Sequence, residues 1–409
     1  MIVGLCIIAI APATAAPTLR MEIVLMRHGV RAPTSEPAKL AAYADQPWPT
    51  WPVAAGMLTA HGAQGMQALG ARYRADYRTA GVLGASCAEL SVLQVIADST
   101  PRNRASAAAL LRGLAPDCGL HFQGLPVTES NPLFHWEHDD ADDDGAAAPA
   151  IAAAPDELAQ LQRVLLGCND GACLQRAAAE GKHVLLMPAH SGDPVALAKA
   201  MKIAGTMSEN VMLEYAQGLP LAQVAWGRVT PAAVSRLVTL HNLSFELTKR
   251  SLPAAAQGGS NLLAHILATL QAAAGEMPAV QPLASADTRV LLLLGHDTNL
   301  AHLAGLLGVD WHRSTDPDDY PPGGALVFQL WEQDGRYRVN LLTRMPTLQA
   351  LRSGDFRPRS ALSQRDVSLP AWAGGQGYPL AAFLAAARAR MDDRFVDAKA
   401  PALTVQSDP

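Results

Sequence analysis

The sequence predicts an α/β fold, with helices flanking a mostly parallel central sheet and a smaller α-helical domain inserted into the chain. Three observations carry that prediction. An apolar strand, a polar loop and a helix follow one another three times, around residues 22–34, 91–111 and 290–307. Between Pro149 and Leu252 the pattern is almost entirely helical and alanine-rich, with Asp156-Glu157 placed to start a helix. A chain of 409 residues is also long for one simple core, so two lobes are expected.

Residues 22–26 read as a buried strand, ended by Gly29 and Pro33. Residues 59–79 space their apolar and basic residues as a helix does. A second strand covers 91–96. Thr100-Pro101 then supplies an N-cap and a first-turn proline, opening a helix through Leu111. The third strand, 290–294, ends in Gly295-His296-Asp297-Thr298 and runs into a helix over 299–307. Pro321-Pro322-Gly323-Gly324 precedes a strand over 325–331, with 336–342 as its partner. The expected limits are 17–140 with 260–396 for the α/β domain and 141–259 for the helical domain. A signal peptide over 1–16 and a flexible tail over 397–409 complete the division.

Composition excludes several classes. Hydrophobic residues make up 49% and charged residues 17%, a globular balance. The net charge is -5 and no basic stripe is visible, so nucleic acid is not the expected partner. Residues 1–12 are nearly all apolar, and Ala13-Thr14-Ala15-Ala16 offers small residues for cleavage, the pattern of an export signal. That stretch is too short for a membrane span, and no later segment is long enough, so no membrane partner is expected after cleavage. Cys6 would leave with the signal. Cys87, Cys118, Cys168 and Cys173 remain, an even number that suits two disulfides in an exported protein. Of three possible connectivities, Cys168 with Cys173 and Cys87 with Cys118 is the most economical.

The chemistry concentrates in Arg27-His28-Gly29-Val30-Arg31-Ala32-Pro33-Thr34. A phosphate monoester carries between one and two negative charges near neutral pH, its second pKa being about 6. Arginine offers permanent charge and forked donors for such a group. Arg27 and Arg31 sit either side of a glycine turn, and Gly29 lets the backbone turn sharply and approach a ligand. Arg102, at a predicted helix N-terminus, adds a third guanidinium, with Arg104 as its competitor. His28 lies between the first two arginines, which depress its pKa and keep it neutral, as a nucleophile attacking phosphorus must be. Asp297 is the natural proton donor to the leaving group, its pKa raised by the charge of the bound phosphate. His296 beside it can be protonated and bind a phosphate oxygen. The acidic run 139–144 is a solvated linker, because the twelfth position of a calcium loop would hold Ile151. His135 and His138 beside it are not taken as metal ligands.

With these motifs the chain resembles the histidine acid phosphatase family, in its bacterial periplasmic branch of phytases and glucose-1-phosphatases. The resemblance extends through Trp48-Pro49-Thr50-Trp51-Pro52-Val53, Gly113-Leu114-Ala115-Pro116-Asp117-Cys118, Ala225-Trp226-Gly227-Arg228, Gly295-His296-Asp297-Thr298-Asn299-Leu300-Ala301 and Pro321-Pro322-Gly323-Gly324. It implies a phosphoglycerate-mutase-like α/β domain, with substrate held between it and the smaller α-domain. It also implies a phosphohistidine at His28, phosphate binding by Arg27, Arg31, Arg102 and His296, and Asp297 as proton donor. Thr34 falls where the family contacts substrate, and Glu209 where its α-domain lines the pocket. The resemblance implies no cofactor and no metal, a periplasmic or secreted protein, and the disulfides Cys87 with Cys118 and Cys168 with Cys173.

Three features depart from the family pattern: Ser35 where phytases of this branch often carry lysine, no C-terminal cysteine pair, and the acidic spacer 137–155. The resulting expectation is an acid phosphomonoesterase acting on a small phosphate ester, first of all phytate. A glucose-1-phosphatase or broad-specificity acid phosphatase is the near alternative. A non-catalytic periplasmic phosphate-ester-binding protein is the alternative of another class, needing the arginines but no general acid. Nothing in the sequence sets an oligomeric state.

Overall fold

The computed structural model describes residues 15–136, 156–189, 191, 193–312, 317–370 and 377–406. Most of the expected signal segment, the acidic run and the last three residues lie outside them. The strands are β1 (Thr18–Arg27), β2 (Leu93–Ala97), β3 (Phe122–Gly124), β4 (Val290–Gly295), β5 (Ala325–Gln333), β6 (Arg336–Pro346), β7 (Leu362–Val367), β8 (Tyr378–Pro379) and β9 (Thr404–Gln406). They form one sheet in the order β7-β6-β5-β1-β4-β2-β3-β9, with β8 on β6.

The sheet is mixed rather than mostly parallel. β1, β4, β2 and β3 pair in parallel at its centre, whereas β5, β6 and β7 are antiparallel. The hairpin at Asp334-Gly335 explains part of this. Both residues have positive φ (51° and 73°), and a tight turn returns the chain beside itself. β9 adds an antiparallel edge to β3. Residues 404–406, within the tail expected to be flexible, are therefore paired with the sheet. Gln406 also accepts a hydrogen bond from Arg104 at 2.8 Å.

The helices are α1 (Pro37–Leu40), α2 (Ala60–Thr79), α3 (Pro101–Leu114), α4 (Asp156–Leu166), α5 (Gly171–Ala179), α6 (Leu186–Ala189), α7 (Pro194–Ala216), α8 (Pro231–Leu237), α9 (Thr239–Thr248), α10 (Leu252–Ala273), α11 (Asp297–Leu307), α12 (Leu348–Ser353) and α13 (Leu380–Arg388). Side chains alternate along β1. Val24 and Met26 join Leu69, Tyr73 and Leu110 of α2 and α3 on one face. Ile23 and Leu25 join Leu263, Leu267 and Leu300 of α10 and α11 on the other. Burial on both faces is why residues 23–26 of β1 and 290–294 of β4 are unbroken apolar runs. The expected 259/260 boundary falls inside α10, a continuous helix packed on the sheet.

Glu22 precedes the apolar run of β1. It is buried and accepts from Arg344 of β6 at 2.6 and 2.9 Å and from Tyr77 at 2.6 Å. Disulfides join Cys87 to Cys118 and Cys168 to Cys173, with Cα separations of 5.3 and 6.4 Å. After α7 the chain makes a strained turn. Ala225 and Trp226 are left-handed, with φ of 48° and 57°. The turn is held by Glu214, whose Oε2 accepts from the Ala225 amide at 2.7 Å. Among the described residues no helix is long and apolar enough to cross a membrane.

Candidate active site

Strand register brings the site together. Met26 pairs with Leu294 and Leu294 with Ala97, so the loops after β1, β4 and β2 emerge side by side. They leave at the carboxyl ends of parallel strands, where such folds bind ligands. Helix α7 of the lobe then reaches over them with Glu209.

The His28 amide donates to the Gly295 carbonyl at 3.0 Å, which pins the loop to the end of β4. Nδ1 of His28 lies 2.9 Å from the Gly29 carbonyl oxygen. A carbonyl only accepts, so Nδ1 carries the proton and Nε2 keeps its lone pair. Burial, then the charges of Arg102, Arg27 and Arg31, push the His28 pKa well below 6.5. Gly29 does not use a left-handed backbone. Its need is space, since a Cβ there would lie 2.7 Å from Cγ of Met66.

Arg27 is fully buried. Its guanidinium pairs with Glu209, pairs with Asp297 Oδ2 at 2.7 Å, and donates to the Tyr320 carbonyl. Arg31 donates to both Glu209 oxygens, at 3.0 and 3.2 Å. Arg102, in the first turn of α3, donates to Nδ1 of His296 at 3.1 Å. Burial and the neighbouring Arg31 lower the Arg102 pKa to about 10, which leaves it charged. Two residues on, about 200° round the helix, Arg104 points elsewhere. It donates to the Leu125 carbonyl at 2.9 Å and lies over the Phe122 ring.

Two charge states of the ligand-free protein differ from those expected with phosphate bound. Asp297 accepts from the Thr298 amide at 2.9 Å, and its other oxygen faces Arg27 and, at 3.9 Å, His241. Burial raises its pKa, but Arg27 and His241 outweigh that and hold the carboxyl below the usual carboxylate range. In the free protein Asp297 is therefore ionised rather than protonated. The raised pKa expected of Asp297 belongs to the state with phosphate beside it. His296 is neutral rather than cationic in mild acid, because burial outweighs Asp98 and brings its pKa to about 4. Its Nδ1 is committed to Arg102 and its Nε2 faces Asp98 Oδ2 at 2.8 Å.

Glu209 sits among the arginines, paired with Arg27 and Arg31. Burial raises its pKa, yet Arg31 and Arg27 lower it further, so it is an ionised counter-ion with no proton to donate. Thr34 is exposed at the rim. It flanks Gly56 together with Arg102: a Cβ on this glycine (φ 73°) would lie 3.7 Å from Thr34 and 3.8 Å from Arg102.

Asp98, Asn103 and His241 were not foreseen. Asp98 carried a signal, as a lone acid between the end of a strand and a helix cap. His241 carried none, standing on a helix of the lobe. The site thus balances Arg27, Arg31 and Arg102 against Glu209, Asp297 and Asp98. A neutral imidazole with a free Nε2 among three guanidiniums is suited to attack on an anionic electrophile.

Comparison with known proteins agrees with this geometry. The model of the histidine phosphatase superfamily (branch 2) matches residues 18–176 and 197–344. Phytase AppA of Escherichia coli is 32% identical over 362 residues, covering 82% of this chain and 83% of its own. Glucose-1-phosphatase of Providencia rettgeri is 24% identical over 359 residues, covering 81% and 83%. The Hafnia alvei phytase structure superimposes with a TM-score of 0.73 at 27% identity, covering 95% of this chain and 100% of that one. The chain belongs to branch 2 of the histidine phosphatase superfamily and is a histidine acid phosphatase, a hydrolase of phosphate monoesters.

Proposed function

We propose that the protein hydrolyses phytate through a phosphohistidine on Nε2 of His28. The observation that carries this reading is the 2.9 Å contact of Nδ1 with the Gly29 carbonyl, which aims the lone pair of Nε2 away from its own backbone. Arg27, Arg31 and Arg102 hold the phosphoryl oxygens. Nε2 bonds to phosphorus as the bond to the leaving oxygen breaks, and Asp297 gives that oxygen its proton. Asp297 then takes a proton from water, which attacks the phosphohistidine, releases phosphate and restores His28.

The first proton arrives with the substrate. Below the second phosphate pKa of about 6, a monoester still carries one. As Arg27 turns to the phosphate, Asp297 loses its nearest cation and gains an anion beside it, so its proton affinity rises. This favours activity on the acid side of neutrality. Export to the periplasm or medium is supported by the apolar N-terminal residues and by two disulfides.

Phytate is favoured by the phytases among the relatives, one of which has been solved with myo-inositol hexakis sulphate. Ser35 favours a second reading, a sugar-phosphate phosphatase, because a serine adds no cation for a highly charged substrate. Initial rates on phytate and glucose 1-phosphate at about pH 5 separate the two. Phytate is expected to be the better substrate. A preference of more than tenfold for glucose 1-phosphate would overturn that assignment, and undiminished hydrolysis by His28→Ala would overturn the mechanism.

A further inference from the structure

Asp98, His135 and His296 converge from three segments: the turn after β2, the loop after β3 and the end of β4. Their ligand-type atoms form a nearly regular triangle. Nε2 of His296 is 2.8 Å from Asp98 Oδ2, Nε2 of His135 is 3.2 Å from the same oxygen, and the two nitrogens are 3.1 Å apart. Ligands on a tetrahedral ion with bonds of about 2.0–2.1 Å stand roughly 3.3 Å from one another. The triangle therefore has the size of one face of a zinc-type tetrahedron.

Hydrogen bonding leaves this cluster in conflict. Four nitrogens crowd Asp98 Oδ2: those of His296 and His135, Nδ2 of Asn103 at 3.2 Å, and the Thr100 amide at 3.2 Å. Among the described residues, Oδ1 of the same buried carboxylate has no partner. Asn103 Nδ2 also lies 2.8 Å from His296 Nε2, a donor against a donor once His296 Nδ1 accepts from Arg102. A cation inside the triangle resolves these contacts by taking the lone pairs of both imidazoles. A half-turn of the Asn103 amide would bring its oxygen, now without a partner, to the same place.

Two other convergent groups are not comparable: in Cys168, Asp170 and Cys173 the sulfurs are joined as a disulfide, and in Glu209, His241 and Asp297 Arg27 already pairs with both carboxylates. Nor does the pocket repel a dication, because its three guanidiniums are balanced by three carboxylates.

We propose that Asp98 Oδ2, His135 Nε2 and His296 Nε2 form a site for a divalent ion of the zinc class, whose binding excludes the Arg102–His296 hydrogen bond. The exclusion follows from proton counting. A neutral imidazole has one lone pair. If Nε2 of His296 ligates a metal, its proton moves to Nδ1, which can no longer accept from a guanidinium. Arg102 is then released from its orientation beside His28. Inhibition by the metal rests on the phosphatase reading, whereas metal binding does not.

The test uses the full chain, free of any histidine tag and stripped with a chelator. Cobalt(II) is titrated as a visible-absorbing probe, and zinc is used to displace it. One equivalent should bind with the spectrum of a tetrahedral site. His135→Ala should weaken binding by at least about tenfold, as should Asp98→Asn. The His135 side chain is 40% exposed, so its removal is compatible with folding, and the melting temperature checks this. Absence of stoichiometric binding, or a folded His135→Ala protein that binds cobalt equally well, would refute the site. One equivalent of zinc should also slow hydrolysis of p-nitrophenyl phosphate in the native protein. If zinc binds and the rate does not change, the displacement of Arg102 is wrong. If no phosphatase activity is found at all, the cobalt titration still decides the metal site.

Discussion

Arg27 and Asp297 form a buried ion pair, Nη2 to Oδ2 at 2.7 Å. In the proposed mechanism the same guanidinium holds phosphate, so substrate and general acid share one cation. A proton donor controlled in this way matters most when the leaving group is a poor one. Asp297→Asn should slow hydrolysis of sugar or inositol phosphates by roughly a hundredfold or more. Hydrolysis of p-nitrophenyl phosphate, whose leaving group needs no proton, should fall far less. Equal losses on both classes would show that Asp297 is not the donor.

The acid limb of the pH profile should report His28. Attack requires its neutral form, and burial with Arg102, Arg27 and Arg31 holds its pKa well below 6.5. Activity on p-nitrophenyl phosphate should therefore persist to well below pH 6.5 before protonation removes the nucleophile. Arg102→Ala removes the strongest of the three charges, so the acid limb should move to higher pH. KM should rise roughly ten- to a hundredfold, the value of a charge-assisted hydrogen bond of about 1.5–3 kcal/mol. A limb that stays in place in Arg102→Ala would contradict the electrostatic account.

Glu209 is the counter-ion of Arg27 and Arg31 in the free protein. Glu209→Gln leaves two buried cations short of an anion, which should destabilise the fold by about 3–5 kcal/mol. Inorganic phosphate can supply the missing charge. The phosphate-induced rise in melting temperature should therefore be larger in Glu209→Gln than in the native protein. Equal shifts, with native-like stability, would mean that Glu209 does not balance these arginines.

Glu214 should make the fold less stable as pH rises. Burial pushes its carboxyl up to about 8, against 4.5 for an ordinary glutamate. Below pH 4.5 both folded and unfolded chains carry the proton, and its contribution is fully present. Between 4.5 and about 8 the unfolded chain loses the proton first, so stability falls by up to about 1.4 kcal/mol per pH unit. Glu214→Gln keeps an oxygen to accept from Ala225 and carries no charge. It should be more stable than the native protein at about pH 7 and nearly equal at about pH 4, read as urea midpoints. A variant with unchanged pH dependence would place the effect elsewhere.

The candidate residues at the centre of the proposed site were legible because their cues are local. A strand that stops at an arginine, a histidine before a glycine, and a His-Asp pair opening a helix are each written within a few residues. The antiparallel half of the sheet was only partly legible. The β5–β6 hairpin was foreseen, but β9 was not, because Thr404–Gln406 is a strand only by pairing with β3. Glu209 was found by resemblance, yet its partner Arg27 lies 182 residues away, and no sequence spacing reveals that contact.

The sequence by itself determined the candidates for nucleophile, phosphate-binding arginines and acid, and the alternation of strands and helices. Only the tertiary structure decided between Arg102 and Arg104, and which carboxylate balances which cation. It also set the ionised state of Asp297 and the neutral state of His296. The reason is that these properties depend on distance and burial. Arg27, His241 and Asp98 act on Asp297 and His296 from across the fold, and removing water makes each of those charges count.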